Sequence, residues 1–286
     1  MKKVLRGVIF LFVIAIGGQL LCSGILSAAE SGSAEPAKIV QGGAILTVAE
    51  SKRLIAKAVA QMPIVKNALA NGMVIIIKGT TNAYVAEEIT GKKVEHAEFV
   101  TGRITGQGAK ILPKGKTVPP IILEKGKVVD IPLADAAKKL KVGDVVIKGA
   151  NALDYRNRIA AVNIVDPSGG TTGITMPFIV ARKAYLVIPI GLEKLVAGDV
   201  VDLTLKMREP VESLNMIPSM WLLTGEIVTE LEAIKILTGA TAFQSSAEGV
   251  SGAEGGVWLV FRGTRDQVEK AIELAKSVQG EPPYTE

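Results

Sequence analysis

Cysteine and histidine are almost missing from this chain: Cys22 is the only cysteine and His96 the only histidine. One cysteine cannot close an intramolecular disulfide, and Cys22 lies in an apolar leader-like stretch, so no thiol nucleophile or thiolate metal site is expected beyond it. One histidine excludes a multi-histidine zinc site and leaves a serine triad only one residue to use. His96 stands in "KKVEHAEFV", an alternating polar stretch that predicts a solvent-facing strand position. No metal and no cofactor is implied. Any catalysis falls to carboxylates, lysines, hydroxyls or backbone dipoles, and no catalytic residue is singled out.

A concentrated basic face is also lacking. The chain has 33 Lys and Arg against 28 Asp and Glu, but Lys2, Lys3 and Arg6 sit in the first six residues. No segment carries the clustered charge of a nucleic-acid binder, so nucleic acid is excluded as a partner. The basic start, the uncharged run Gly7–Ala29 and the small residues Ser27-Ala28-Ala29 predict a signal peptide over residues 1–29, cleaved after Ala29. The mature protein would be exported, periplasmic or secreted. The alternative is a retained membrane anchor over residues 7–29, the sole membrane contact expected. A lipoprotein reading of Cys22 fails because Gln19-Leu20-Leu21 lacks the small residue that precedes a lipidated cysteine. A polar linker over residues 30–48 follows the leader.

From Ala49 to Leu69 the apolar positions recur with helical period, and Pro63 should interrupt the helix. Met73–Lys78 is aliphatic on both faces, as a buried parallel strand requires. Gly79-Thr-Thr-Asn82 turns, and Ala83–Ile89 is again helical. Pro119–Pro132 predicts a hairpin at Lys125-Gly126, Leu133–Leu140 a short helix, and Asp144–Lys148 and Ile159–Val165 two strands. Thr175–Lys183 reads as helix and Ala184–Pro189 as a buried strand. Beyond about Lys206 the pattern changes. Trp221–Val228 predicts one strand. Thr229-Glu-Leu-Glu232 and Thr264-Arg-Asp-Gln267 are capping boxes opening two helices, with strands at Ala240–Ser245 and Gly256–Arg262. The expected fold is therefore α/β: an open, mostly parallel sheet with flanking helices over residues 49–205, and a small ferredoxin-like α+β unit over 206–286.

Three loops carry the candidate site. "IIIKGTTNAY" and "VVIKGANALD" share an aliphatic strand, a Lys-Gly pair, small residues and Asn-Ala. Two such strands would open their carboxyl ends onto one crevice, where open α/β sheets bind ligands. In the first loop Lys78 supplies charge, Gly79 lets the backbone approach an anion, and Thr80, Thr81 and Asn82 add polar groups at a helix start. In the second, Lys148 and Gly149 repeat the pair, while Asn151 and Asp154 can hydrogen-bond a sugar hydroxyl or close an Asx turn. The third, "PSGGTTG", places Gly169, Gly170, Thr171 and Thr172 after a further strand. Each loop alone is equally a plain turn; three together point to a small anionic ligand.

Residues 50–205, through "SKRLIAKAVAQM", "NGMVIIIKGTTNAYVAEEI", "GDVVIKGANALD", "GGTTG" and "AYLVIPIGLEK", resemble the ribose-5-phosphate isomerase/glucosamine-6-phosphate deaminase-like superfamily. That group also holds sugar-sensing repressors, coenzyme A transferases and initiation-factor-2B-like isomerases. The C-terminal unit is similar in element order to the small accessory domain of the ribose-phosphate isomerases. The resemblance implies a phosphate held by Gly79, Thr80 and Thr81. The isomerases carry Asp-Gly-Ala-Asp-Glu where this chain has Lys148-Gly149-Ala150-Asn151-Ala152, and an amide cannot serve as general base. Their lysine-glycine catalytic turn has no counterpart in "NIVDPSGGTTG". The expectation is an exported protein that binds a small phosphorylated or carboxylated metabolite. Alternatives are an aldose–ketose sugar-phosphate isomerase with Asp154 as base, and a structural or assembly protein. A homo-oligomer is compatible with each.

Overall fold

The computed structural model describes residues 38–105, 108–111 and 117–284. The expected leader (1–29) and the first part of the expected linker (30–37) lie outside the described residues. The described residues open with β1 (Val40–Leu46), then α1 (Val48–Gln61) and α2 (Pro63–Asn71). Thr47 and Glu50 form a reciprocal capping box at the start of α1, and Pro63 takes the first helical position of α2, where its missing N–H costs nothing. Next come β2 (Met73–Ile76), α3 (Thr80–Thr90), the hairpin β3 (Gly102–Thr105) with β4 (Gly108–Ile111), and the hairpin β5 (Ile121–Glu124) with β6 (Lys127–Val129). Then follow α4 (Leu133–Lys139), β7 (Val145–Ile147), β8 (Ala152–Asp154), β9 (Ile159–Ile164), α5 (Gly170–Arg182), β10 (Tyr185–Pro189) and a single 3₁₀ turn (Leu192–Lys194). The last part runs α6 (Val200–Lys206), β11 (Ser219–Leu223), β12 (Glu226–Val228), α7 (Glu230–Thr238), β13 (Thr241–Glu248), β14 (Gly256–Gly263) and α8 (Arg265–Val278).

These elements make a mixed α/β protein. The largest sheet has six strands in the order β12-β10-β7-β2-β5-β6. The β12-β10, β10-β7 and β7-β2 pairs are parallel, and the β5-β6 hairpin adds an antiparallel edge. Its parallel strands are aliphatic runs with every residue of β2 and β7 buried, because both faces are covered. Ile75, Ile76, Val146, Ile147, Val187 and Ile188 are wholly or almost wholly buried there, each contributing about 2 kcal/mol of transfer free energy. Asp144 ties two of these strands together: its carboxylate accepts from the N–H of Met73 (2.8 Å) and of Lys141 (2.9 Å). Around the sheet, α1 packs against α3 and α7, and α4 against α5.

Several expectations need correction. Residues 40–46, inside the expected linker 30–48, are a strand: β1 lies antiparallel to β14, with Val40 opposite Gly263 and Leu46 opposite Val257. The boundary at 205/206 does not separate the sheets. β12 completes the six-stranded sheet, and β11 pairs with β9 in a three-stranded sheet with β8. The expected strand Trp221–Val228 is thus two strands in two sheets, parted at Thr224-Gly225. A Cβ on Gly225 would lie 2.4 Å from the carbonyl oxygen of Leu186, so the backbones touch there. His96 sits in a turn rather than a strand, 3.2 Å from Glu87 and edge-on to Tyr84. Among the described residues no helix is long and apolar enough to cross a membrane.

Candidate functional site

Because β2, β7, β10 and β12 run parallel, their carboxyl ends share one edge of the sheet, and the loops that follow β2, β7 and β10 meet there. β2 and β7 are neighbours, so Lys78 and Lys148 leave adjacent strands. The Lys78 ammonium donates to the Thr117 hydroxyl at 2.9 Å, and partial burial pulls its pKa below the usual lysine value. Lys148 is buried, 5 % exposed, and donates to the Thr171 hydroxyl at 3.2 Å. Burial alone pulls its pKa down to about 8. Neither lysine reaches a carboxylate within ion-pair distance among the described residues.

The first loop starts α3 at Gly79, where no side chain caps the first turn and its N–H groups are left without intrahelical acceptors. Thr81 is buried and its hydroxyl has no partner among the described residues. Asn82 is fully buried. Its Nδ2 donates to the carbonyls of Ile77 (2.7 Å) and Ile147 (3.2 Å), while its Oδ1 accepts nothing. Part of Asn82 is therefore spent on joining the two strand ends. Neither Gly79 nor Gly149 has a left-handed backbone. A Cβ at either would make only ordinary contacts of 3.5 Å or more, so the fold itself does not demand glycine there.

The third loop differs. Gly169 (φ 82°) and Gly170 (φ 56°) are both left-handed, and these glycines serve the turn that opens α5. Thr171 follows them and accepts from Lys148; Thr172 is buried beside it. The structure thus brings Thr171 to Lys148, and Asn82 to Ile147, the residue before Lys148.

Asn151 and Asp154 belong to the hairpin of β8 and β9 instead. Asn151 is exposed, and its side-chain oxygen accepts from the N–H of Asn163 at 2.9 Å. The Asp154 carboxylate accepts from the backbone N–H (2.9 Å) and side-chain amide (2.8 Å) of Asn157. Those bonds hold its pKa below the usual carboxylate range, which makes it a weak proton acceptor. Asp154 therefore takes the local Asx-type role, while Asn151 bonds across the hairpin to a residue twelve positions on.

Four charged residues at this edge were not singled out from sequence. Lys194, in the 3₁₀ turn after β10, donates to the carbonyl of Ala150 at 3.1 Å and so crosses the loop after β7. Glu193 folds back over Gly191, and neither of its buried carboxylate oxygens has a hydrogen-bond partner among the described residues. Glu230, at the start of α7, is fully buried and accepts from the N–H of Leu192 (3.0 and 3.3 Å). Burial, then the nearby charge of Glu193, pushes its pKa up to about 7. Lys52 on α1 is pulled down to about 8, by burial first and by repulsion from Lys194 second, with Glu193 opposing. The "GLEK" of Gly191–Lys194, at a strand end, was the available signal. Glu230 was hidden inside a capping box.

Two surface depressions lie away from this edge. One of about 310 Å³ is lined by Ile179, Lys183, Tyr185 and Glu226, at the opposite ends of β10 and β12. The other, about 510 Å³, lies between Lys57, Lys66, Glu88 and Leu274. Among the described residues no group of three His, Cys, Asp or Glu side chains could hold a metal ion. Comparison with known proteins leaves the chain on its own: no family model, no curated protein and no solved structure matches it.

Proposed function

We propose that this protein binds a small anionic metabolite, phosphorylated or carboxylated, at the carboxyl ends of β2 and β7. The supporting observation is the pair Lys78 and Lys148: two lysines end adjacent parallel strands, and neither meets a carboxylate among the described residues. Burying positive potential without a counter-charge is costly, and a bound anion would offset it. The uncapped first turn of α3 and the partnerless hydroxyl of Thr81 add donors in the same loop. Gly79 and Gly149, not required by backbone conformation, leave the main chain open to a ligand. The same proposal takes in the resemblance to the sugar-phosphate isomerase superfamily, export directed by residues 1–29, and a ferredoxin-like arrangement of β1, α7, β13, β14 and α8.

Thermal shift measures it directly. Inorganic phosphate, ribose 5-phosphate, a nucleotide and pyruvate would be screened against the wild type, Lys78→Ala and Lys148→Met. A ligand at a hundred times its Kd stabilises by about 2.7 kcal/mol, which raises Tm by roughly 5 to 10 °C in a domain of this size. At least one anion should do so in the wild type and less in each variant. No shift with any anion, or equal shifts in all three proteins, would remove the proposal.

A second reading, sugar-phosphate isomerisation, draws support from Glu193 rather than Asp154: both Glu193 carboxylate oxygens are buried and free of hydrogen bonds among the described residues, whereas the Asp154 carboxylate is already engaged by Asn157. It requires aldose–ketose turnover that Glu193→Gln abolishes and Asp154→Asn leaves in place.

A further inference from the structure

Lys78 and Lys148 close the same strand–Lys-Gly pattern, yet the fold treats their amines differently. Lys78 is half-buried and bonds to Thr117 near the surface. Lys148 is buried, stands between β2 and β10 at the end of β7, and among the described residues its amine bonds to the hydroxyl of Thr171. Burial lowers the pKa of both amines, and Lys148 lies the deeper of the two. The shallower amine suits an anion and the deeper one suits reaction as a free base.

We propose that Lys148 is a carbonyl-capturing amine, forming an imine with an anionic aldehyde, ketone or 2-oxo acid whose anionic group rests at the Lys78 loop. This rests on the anion-binding reading above and narrows its ligand to one bearing a carbonyl. The neutral Nζ attacks the carbonyl carbon, a C–N bond forms, and the C=O π pair becomes the hydroxyl of a carbinolamine. That hydroxyl leaves with a proton as water, and the nitrogen lone pair closes the C=N bond; no oxidant or reductant is consumed. The Thr171 hydroxyl, 3.2 Å from Nζ, is within reach to relay the proton lost by nitrogen. Burial pulls its pKa down to about 8, so at neutral pH Lys148 offers more free amine than a solvated lysine. Lys52, with a similar pKa, serves as the internal comparison, since it faces Lys194 and Glu193 rather than the Lys78 loop.

Reductive trapping tests this on the full chain. The protein is incubated with glyoxylate, pyruvate or glycolaldehyde phosphate, reduced with borohydride, and read by intact mass and peptide mapping. One adduct per chain, mapped to Lys148 and reduced roughly tenfold or more in Lys148→Arg, is the expected result. Mapping on the wild type alone suffices if that variant does not fold. Adducts spread over surface lysines, or located on Lys52, overturn the assignment. Absence of any adduct also overturns it, and the unreduced thermal shifts with the same compounds then show which idea has failed. If they raise Tm, the anion site stands without the imine; if they do not, the anion site falls as well.

Discussion

The side-chain amide of Asn82 donates to the carbonyl of Ile147 at 3.2 Å, joining the first turn of α3 to the end of β7 across 65 residues of sequence. A second bond to Ile77 at 2.7 Å holds the end of β2. The residue sits where a ligand contact was expected, and it holds the two strand ends in place. Asn82→Ala should cost about 2 kcal/mol, since two buried carbonyls lose a donor. Asn82→Asp should cost more, because a carboxylate would face both oxygens with nothing to donate. Urea unfolding of the three proteins measures this; an Asp variant as stable as wild type would show that Asn82 is not the clamp.

Lys148→Met should stabilise the protein at neutral pH. The folded pKa of about 8 lies below the unfolded 10.5, so between these values the unfolded chain binds more protons and wild-type stability rises with pH. Below pH 8 the buried ammonium is a net cost, which methionine removes. The variant should gain about 2 kcal/mol at pH 7 after allowing for the lost Thr171 bond, and the gain should shrink towards pH 10.5. Denaturation at pH 7, 9 and 10 checks both size and direction.

Glu230 runs the other way in pH. Its folded pKa of about 7 is above the ordinary 4.5, so its contribution is fully present below pH 4.5 and is lost as pH rises through 7. Glu230→Gln keeps an oxygen for the N–H of Leu192 and cannot ionise. It should be more stable than wild type by about 2 kcal/mol at pH 8 and should lack the decline between pH 5 and 7. An unchanged pH profile would place the ionisation elsewhere.

Asp154→Asn should leave anion-induced thermal shifts untouched, because the carboxylate is engaged with Asn157 inside the hairpin. The turn should weaken by about 1 kcal/mol through the lost acceptor. A variant that folds but loses its response to anions would return Asp154 to the site.

Local signals predicted most elements well. Pro63 separates α1 from α2, Lys125-Gly126 turns the β5-β6 hairpin, and both capping boxes, Thr229 with Glu232 and Thr264 with Gln267, are formed as expected. Each depends on residues within a few positions of one another. The failures have the opposite character. "VQGGAIL" carries two glycines and little strand propensity. It becomes β1 through pairing with β14, more than 200 residues away, so no local pattern reveals it. His96 alternates with polar neighbours like a strand residue but is held in a turn by Glu87 and Tyr84.

The candidate site divides along the same line. Aliphatic runs closed by Lys-Gly were enough to predict parallel strands ending at one edge, because burial on both faces imposes that composition directly. Which side chains meet at that edge was decided by distance and burial, which no short pattern encodes. Asn82 and Asp154 look equally ready for a ligand in sequence, but one clamps two strands and the other closes a turn. Glu193, Lys194, Lys52 and Glu230 are scattered over 179 positions and perturb one another only once the chain is folded. Lys78 and Lys148 sit in near-identical strings, and only their depth in the fold separates a half-buried lysine from a buried one, because desolvation depends on what the rest of the chain packs around it.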